Sequence, residues 1–148
     1  DWDEHWGYDT SDPDKKIFLS QTHPDSATNS KNSMFYGKIN WDVFLYAMAI
    51  GRNEGLRKPF SSKGPTLPID ALKPRHLYSI IGLIFSLGNQ KNEEKVEIDI
   101  LKRPKEIRKI CEEYANGGLE RLIEFHKQRD PTAPLEVYEN EFLKFIES

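Results

Sequence analysis

Apolar positions crowd most densely between Leu77 and Leu87, where Leu77-Tyr78-Ser79-Ile80-Ile81-Gly82-Leu83-Ile84-Phe85-Ser86-Leu87 carries no charge. A helix that is apolar on every side must be buried all round. The pattern therefore predicts a central helix over residues 74–90. Pro74 suits its first turn, where a missing N–H costs nothing, and Gly88-Asn89 supplies a left-handed stop. The run is shorter than the roughly 20 apolar residues that a bilayer crossing needs. Gly82 is expected to let a neighbouring helix approach closely.

Four further stretches carry helical spacing. Asn40 is a good N-cap for Trp41-Asp42-Val43-Phe44-Leu45-Tyr46-Ala47-Met48-Ala49-Ile50, and Asp42 sits where a helix N-terminus favours an acid. Gly51 to Gly55 is expected to let this helix fray into a long connection, Leu56 to Leu67. After Arg103-Pro104, the residues Ile107, Ile110, Cys111 and Tyr114 mark one face. Asn116-Gly117-Gly118 predicts a halt there, followed by another helix through Leu119, Leu122, Ile123 and Phe125. Asp130 to Pro134 reads as a linker, and Glu136 to Ile146 as a closing amphipathic helix.

The remaining segments are weaker. Pro68 to Leu72 looks like a short helical turn, and Lys16-Ile17-Phe18-Leu19 like a strand or one turn of helix. Val96 to Ile100 alternates apolar with acidic, but no strand partner is evident, so a short helix or irregular segment is preferred. Thr22 to Ser33 has turn chemistry throughout. Residues 1–14 show neither helical nor strand period. The expected fold is all-α, an irregular bundle of about five helices. A mobile or partner-docked acidic, aromatic arm with a polar loop would span residues 1–36, and the helical domain residues 37–148.

Charge changes this picture locally. The net charge is -3, yet residues 1–14 hold six acids and no Lys or Arg, while residues 51–76 hold six bases against two acids. Those bases are Arg52, Arg57, Lys58, Lys63, Lys73 and Arg75. A local patch can attract an anion although the whole chain is acidic. Trp2, Trp6 and Tyr8 on the arm are candidate anchors for a protein partner. Cys111 is the single cysteine, which rules out an intrachain disulfide and suits a reducing compartment. With no membrane span or signal segment visible, a soluble cytoplasmic protein is expected. The chain does not begin with Met, so a longer parent chain is compatible with it.

No strong catalytic motif is present. Gly51-Arg52-Asn53-Glu54-Gly55-Leu56-Arg57-Lys58 lacks the spacing of a P-loop and follows no strand. Asp14-Lys15-Lys16 and Glu93-Glu94-Lys95 match the acid-any-Lys spacing of metal-dependent nucleases. Phosphodiester cleavage also needs a further acid on an adjoining strand, and none is predicted. Glu120, Glu124, His126 and Asp130 are better read as a face of ion pairs than as a metal site. Cys111, despite His126, falls on an apolar stripe, so a buried structural thiol is the better reading. His76 could join the basic patch, although a partly buried structural histidine is commoner. No metal and no cofactor is expected.

Glu112-Glu113-Tyr114-Ala115-Asn116-Gly117-Gly118-Leu119, with Phe44 to Arg52 and the basic loop after it, resembles the family called DNA phosphorothioation-associated protein 4. The resemblance covers about residues 38–147 and leaves the arm unmatched. It implies a place in bacterial and archaeal systems that put sulfur into the DNA backbone and use the mark in defence. It supplies no catalytic residue. The resulting expectation is a non-enzymatic accessory module of a DNA modification and restriction system. It would contact DNA, or an acidic subunit of the same machinery, through the six bases. An adaptor anchored by its aromatic arm is the alternative, and a metal-dependent nuclease a more distant one.

Overall fold

The computed structural model describes residues 5–22, 40–60, 63–68, 72–87 and 103–128. Two strands and four helices follow in the order β1 (His5–Asp9), α1 (Pro13–Thr22), α2 (Asn40–Asn53), β2 (Lys63–Pro68), α3 (Pro74–Leu87) and α4 (Pro104–Gln128). The described fold is thus mostly helical, as expected, with one small sheet. The expected segments Val96–Ile100 and Glu136–Ile146, together with Trp2, lie outside the described residues.

Local chemistry sets the helix ends. Proline occupies the first turn of α1, α3 and α4, where its fixed φ suits the helix and no N–H is lost. The Asp12 carboxylate caps α1 by accepting the Asp14 N–H at 2.9 Å, as a good N-cap does. At the start of α3, His76 Nδ1 accepts the Lys73 N–H at 3.0 Å, which is the reciprocal half of a capping box. The stop of α2 is sharp. Leu56 N–H reaches Gly51 O at 2.7 Å and Gly55 N–H reaches Arg52 O at 3.3 Å, with Gly55 at φ 67°. This pair of bonds is a Schellman motif, and it needs a left-handed residue after the cap. Gly51 itself lies within the helix, so the expected fraying over Gly51–Gly55 is corrected to a defined reversal.

Packing centres on α2 against α4. A Cβ on Gly118 would overlap the Ala47 carbonyl oxygen, and one on Gly51 the Tyr114 carbonyl oxygen. The two backbones therefore meet through hydrogens alone. Here lies the reason that the predicted halt at Asn116-Gly117-Gly118 is wrong: α4 runs unbroken through it. Glycine costs a helix roughly 1 kcal/mol relative to alanine, a loss that the close contact offsets.

The expectation of an all-round buried α3 is also corrected. His76, Ile80 and Leu83 are buried, whereas Tyr78 is 72% exposed and Arg75, Ser79 and Gly82 face outward. Such i, i+4, i+7 spacing is that of an amphipathic surface helix. A Cβ on Gly82 would meet nothing within 4 Å, so no helix approaches there.

β1 and β2 pair antiparallel, Trp6 opposite Leu67 and Gly7 opposite Thr66, with a register irregularity between Gly7 and Asp9. Trp6 and Tyr8 are two residues apart and so share one face of the strand, which turns inward. Trp6 meets Trp41 edge-on at 5.5 Å and Phe44 at 5.9 Å, while Tyr8 meets Phe44 at 5.7 Å. Edge-to-face pairs of this kind add about 0.5–1.5 kcal/mol each beyond area burial. Residues 5–9 are therefore part of the core and not of a core-less arm. The expected boundary near residue 36 lies outside the described residues. Those described on its N-terminal side, through Trp6, Tyr8 and Phe18, share one core with α2, α3 and α4.

Candidate functional site

One stripe of α4 organises the chain around it. Glu113, Asn116, Gly117 and Glu120 fall at i, i+3, i+4 and i+7, hence on one helix face. The segment leaving α2 lies along this stripe. The Leu56 carbonyl sits where a Cβ of Gly117 would be, and the Lys58 N–H reaches Glu113 O at 3.0 Å. Asn116 Nδ2 donates to the carbonyls of Lys58 and Pro59 at 3.4 and 3.2 Å. Its Oδ1 accepts from Lys15 Nζ at 2.6 Å. Arg57 Nε donates to Glu113 Oε1 at 2.8 Å, and its guanidinium lies 5.8 Å from the centre of the Tyr114 ring. Glu120 takes Lys15 on one oxygen at 3.1 Å and Lys58 on the other at 3.7 Å.

The neighbouring residue Glu112 serves the opposite side. Its Oε2 accepts the Gly7 N–H at 2.8 Å, fastening β1 to α4. The Glu-Glu-Tyr-Ala-Asn-Gly-Gly segment is thus a packing and clamping device. It joins α1, α2, β1 and the basic loop on one helix.

Five of the six sequence-predicted bases fall into two groups, with Lys63 apart from both. Arg52, 8% exposed, ends α2 and lines an open groove of about 440 Å³ with Leu45, Met48, Ala49, Asn53, Ser79 and Leu83. Arg57 and Lys58 follow it on the clamped segment, where the Lys58 side chain remains 49% exposed. Lys73 and Arg75 stand instead at the start of α3, Arg75 Nη2 lying 3.3 Å from Asp42 in the first turn of α2. Ten residues of α2 separate Asp42 from Arg52, about 15 Å of helix. Lys63 lies on β2 opposite Asp9. Trp6 and Tyr8, expected as partner anchors, are 0% and 2% exposed, their rings buried in this chain's own core.

The remaining described candidates are engaged within the fold, while Glu93, Glu94, Lys95 and Asp130 lie outside the described residues. Both ring nitrogens of His76 are engaged: Nδ1 accepts the Lys73 N–H, so Nε2 carries the proton and donates to Asp42 Oδ1 at 2.9 Å. The ring also stacks on Trp41. Cys111 is fully buried, and burial, reinforced by the Glu112 charge, pushes its thiol well above the usual range. Among the described residues no three His, Cys, Asp or Glu side chains gather to hold a metal ion. Asp14 pairs with Lys127 at 2.7 Å and Glu124 with Arg121 at 3.0 Å. Sequence reasoning missed the buried Lys15–Asn116 bond, because nothing local to either residue signals a partner 101 positions away.

No curated protein matches the chain, and no solved structure does. The family model described as DNA sulphur modification system-associated protein 4 matches residues 26–138. That span includes α2, the clamped loop, α3 and α4, and leaves β1 and α1 outside. The chain belongs to the DNA sulphur modification system-associated protein 4 family.

Proposed function

We propose that the chain is a non-enzymatic accessory module of a DNA sulphur modification system, acting in the cytoplasm, in modification-linked restriction and defence. In this reading it meets DNA through phosphate contacts from Arg52, Arg57, Lys58, Lys63, Lys73 and Arg75. The observation that carries it is the clamp on the basic loop, in a family associated with DNA modification. Glu113, Asn116 and Gly117 hold the backbone of residues 56–59, so Lys58 is presented from a fixed support. A charge held in place loses less entropy on binding than one on a free loop. The two basic groups, about 15 Å apart along α2, lie within one helical turn of duplex DNA, about 34 Å. Backbone contacts of this type give affinity that is tolerant of sequence and steeply weakened by salt.

The test is equilibrium binding of the full chain to duplex DNA with and without phosphorothioate, beside a Lys58→Ala/Arg75→Ala variant. Binding that weakens in the variant is expected. Absence of binding at low salt contradicts direct DNA contact.

A second reading, an adaptor that docks another subunit, is favoured by Tyr78, a large side chain 72% exposed on α3. Aromatic residues often carry interface energy. In that case Tyr78→Ala abolishes co-purification with the modification machinery and leaves DNA affinity unchanged.

A further inference from the structure

A second basic surface opens α4. Residues 102–109 read Lys-Arg-Pro-Lys-Glu-Ile-Arg-Lys, five bases against one acid. Ile107 and Ile110 are buried in the core, which fixes the rotation of the helix. Lys105 and Lys109, four residues apart, consequently share the opposite, exposed face. Arg103, also exposed, lies 3.6 Å from Glu106, and Arg108 lies 3.5 Å from Glu112. Lys105 and Lys109 have no carboxylate partner among the described residues. The loop differs here, since Arg57, Lys58 and Arg75 each lie against a carboxylate of this chain.

This arrangement works against the fold. Like charges one turn apart repel, and bases in the opening turns oppose the helix dipole, which favours acids there. A local choice that contradicts the stability of its own element marks a requirement from outside the fold.

We infer that the exposed face of α4 carrying Lys105 and Lys109 is a contact surface for the phosphate backbone of duplex DNA. Charge complementarity is direct: the face is cationic on a chain whose net charge is -3, so a local patch, not bulk charge, must attract the polyanion. Four residues advance about 6 Å along a helix, comparable with two successive rises of about 3.4 Å per strand along the duplex axis. Residues 103–109 contain no aromatic side chain to stack on bases. The contact is therefore to the backbone and independent of sequence. The inference rests on the reading that DNA is the partner, and it adds a site that the loop does not include.

The experiment compares three forms of this chain by fluorescence anisotropy on one duplex between about 50 and 200 mM salt: unsubstituted, Lys105→Ala/Lys109→Ala, and Lys58→Ala/Arg75→Ala. A Lys105→Arg/Lys109→Arg chain keeps the charge, and circular dichroism checks that each variant is folded. Losing two phosphate contacts should cut the slope of log K against log salt by about 1.8 and weaken binding at least about tenfold near 0.1 M salt. The arginine variant should retain the slope. If only the loop variant loses slope, the α4 surface is overturned and the proposed DNA contact stands. If only the α4 variant loses slope, the inference holds and the loop contact fails. If the unsubstituted chain ignores DNA, or binds only an acidic polypeptide such as polyglutamate, both are overturned.

Discussion

At Gly51, Gly117 and Gly118 a hydrogen in place of a methyl group decides how closely α4 lies to α2 and to the segment after it. Gly118→Ala must push against the Ala47 carbonyl, backbone that cannot swing away. It is expected to cost about 3 kcal/mol, the upper part of the range for overpacking. Gly82→Ala meets open space on an exposed helix face and should stabilise by about 0.5–1 kcal/mol through helix propensity. Urea unfolding of the two variants gives opposite signs if the contact is as described. Cys111 supplies a pH prediction. Its native thiol is held protonated while the unfolded thiol ionises near its ordinary value of 9.0. Above that pH the unfolded state binds fewer protons, so stability falls as pH rises, by up to about 1.4 kcal/mol per unit. The native thiol should stay unreactive toward a disulfide reagent at pH 8, and labelling should follow global unfolding.

Among elements, α4 is the one on which the others depend, and its Asn116 ties α1 to the segment after α2. Asn116→Ala leaves the Lys15 ammonium and the Lys58 and Pro59 carbonyls short of a partner, and should cost about 1–3 kcal/mol in denaturant unfolding. Deleting residues 1–9 removes two buried aromatics and the strand that pairs with β2. The chain should then melt far earlier, where a solvated tail would leave its Tm unchanged. The sequence makes some of this legible. Pro74 and Pro104 mark helix starts, and the apolar spacing of Ile107, Ile110, Cys111 and Tyr114 finds the buried face of α4. The Gly117-Gly118 pair misleads because the same residues signal a helix stop and a close helix contact, and only α2 distinguishes them. In α3 the exposed face after Arg75 is made of Tyr78, Ser79 and Gly82, which carry no charge and so hide the amphipathic period. β1 has an i, i+2 aromatic signal in Trp6 and Tyr8, but its partner, Lys63–Pro68, starts 54 residues after the strand ends and is bounded by proline.

For the whole molecule the distribution of charge matters more than its sum. The family match identifies a DNA modification context, and the bases that the sequence gathers into one loop divide in space between the two ends of α2. Three of them, Arg57, Lys58 and Arg75, lie against carboxylates of the same chain. Lys105 and Lys109 on α4 escape the sequence reading, because only the buried Ile107 and Ile110 tell which way they point. The measurement that reaches the central claim most directly is lysine acylation followed by mass spectrometry, with and without saturating duplex DNA. Lys15, 4% exposed, should be inert in both samples. Lys58, Lys73, Lys105 and Lys109 should react in the free protein and be protected by DNA. If saturating DNA protects none of them, the chain does not meet DNA through these surfaces and the functional account is wrong.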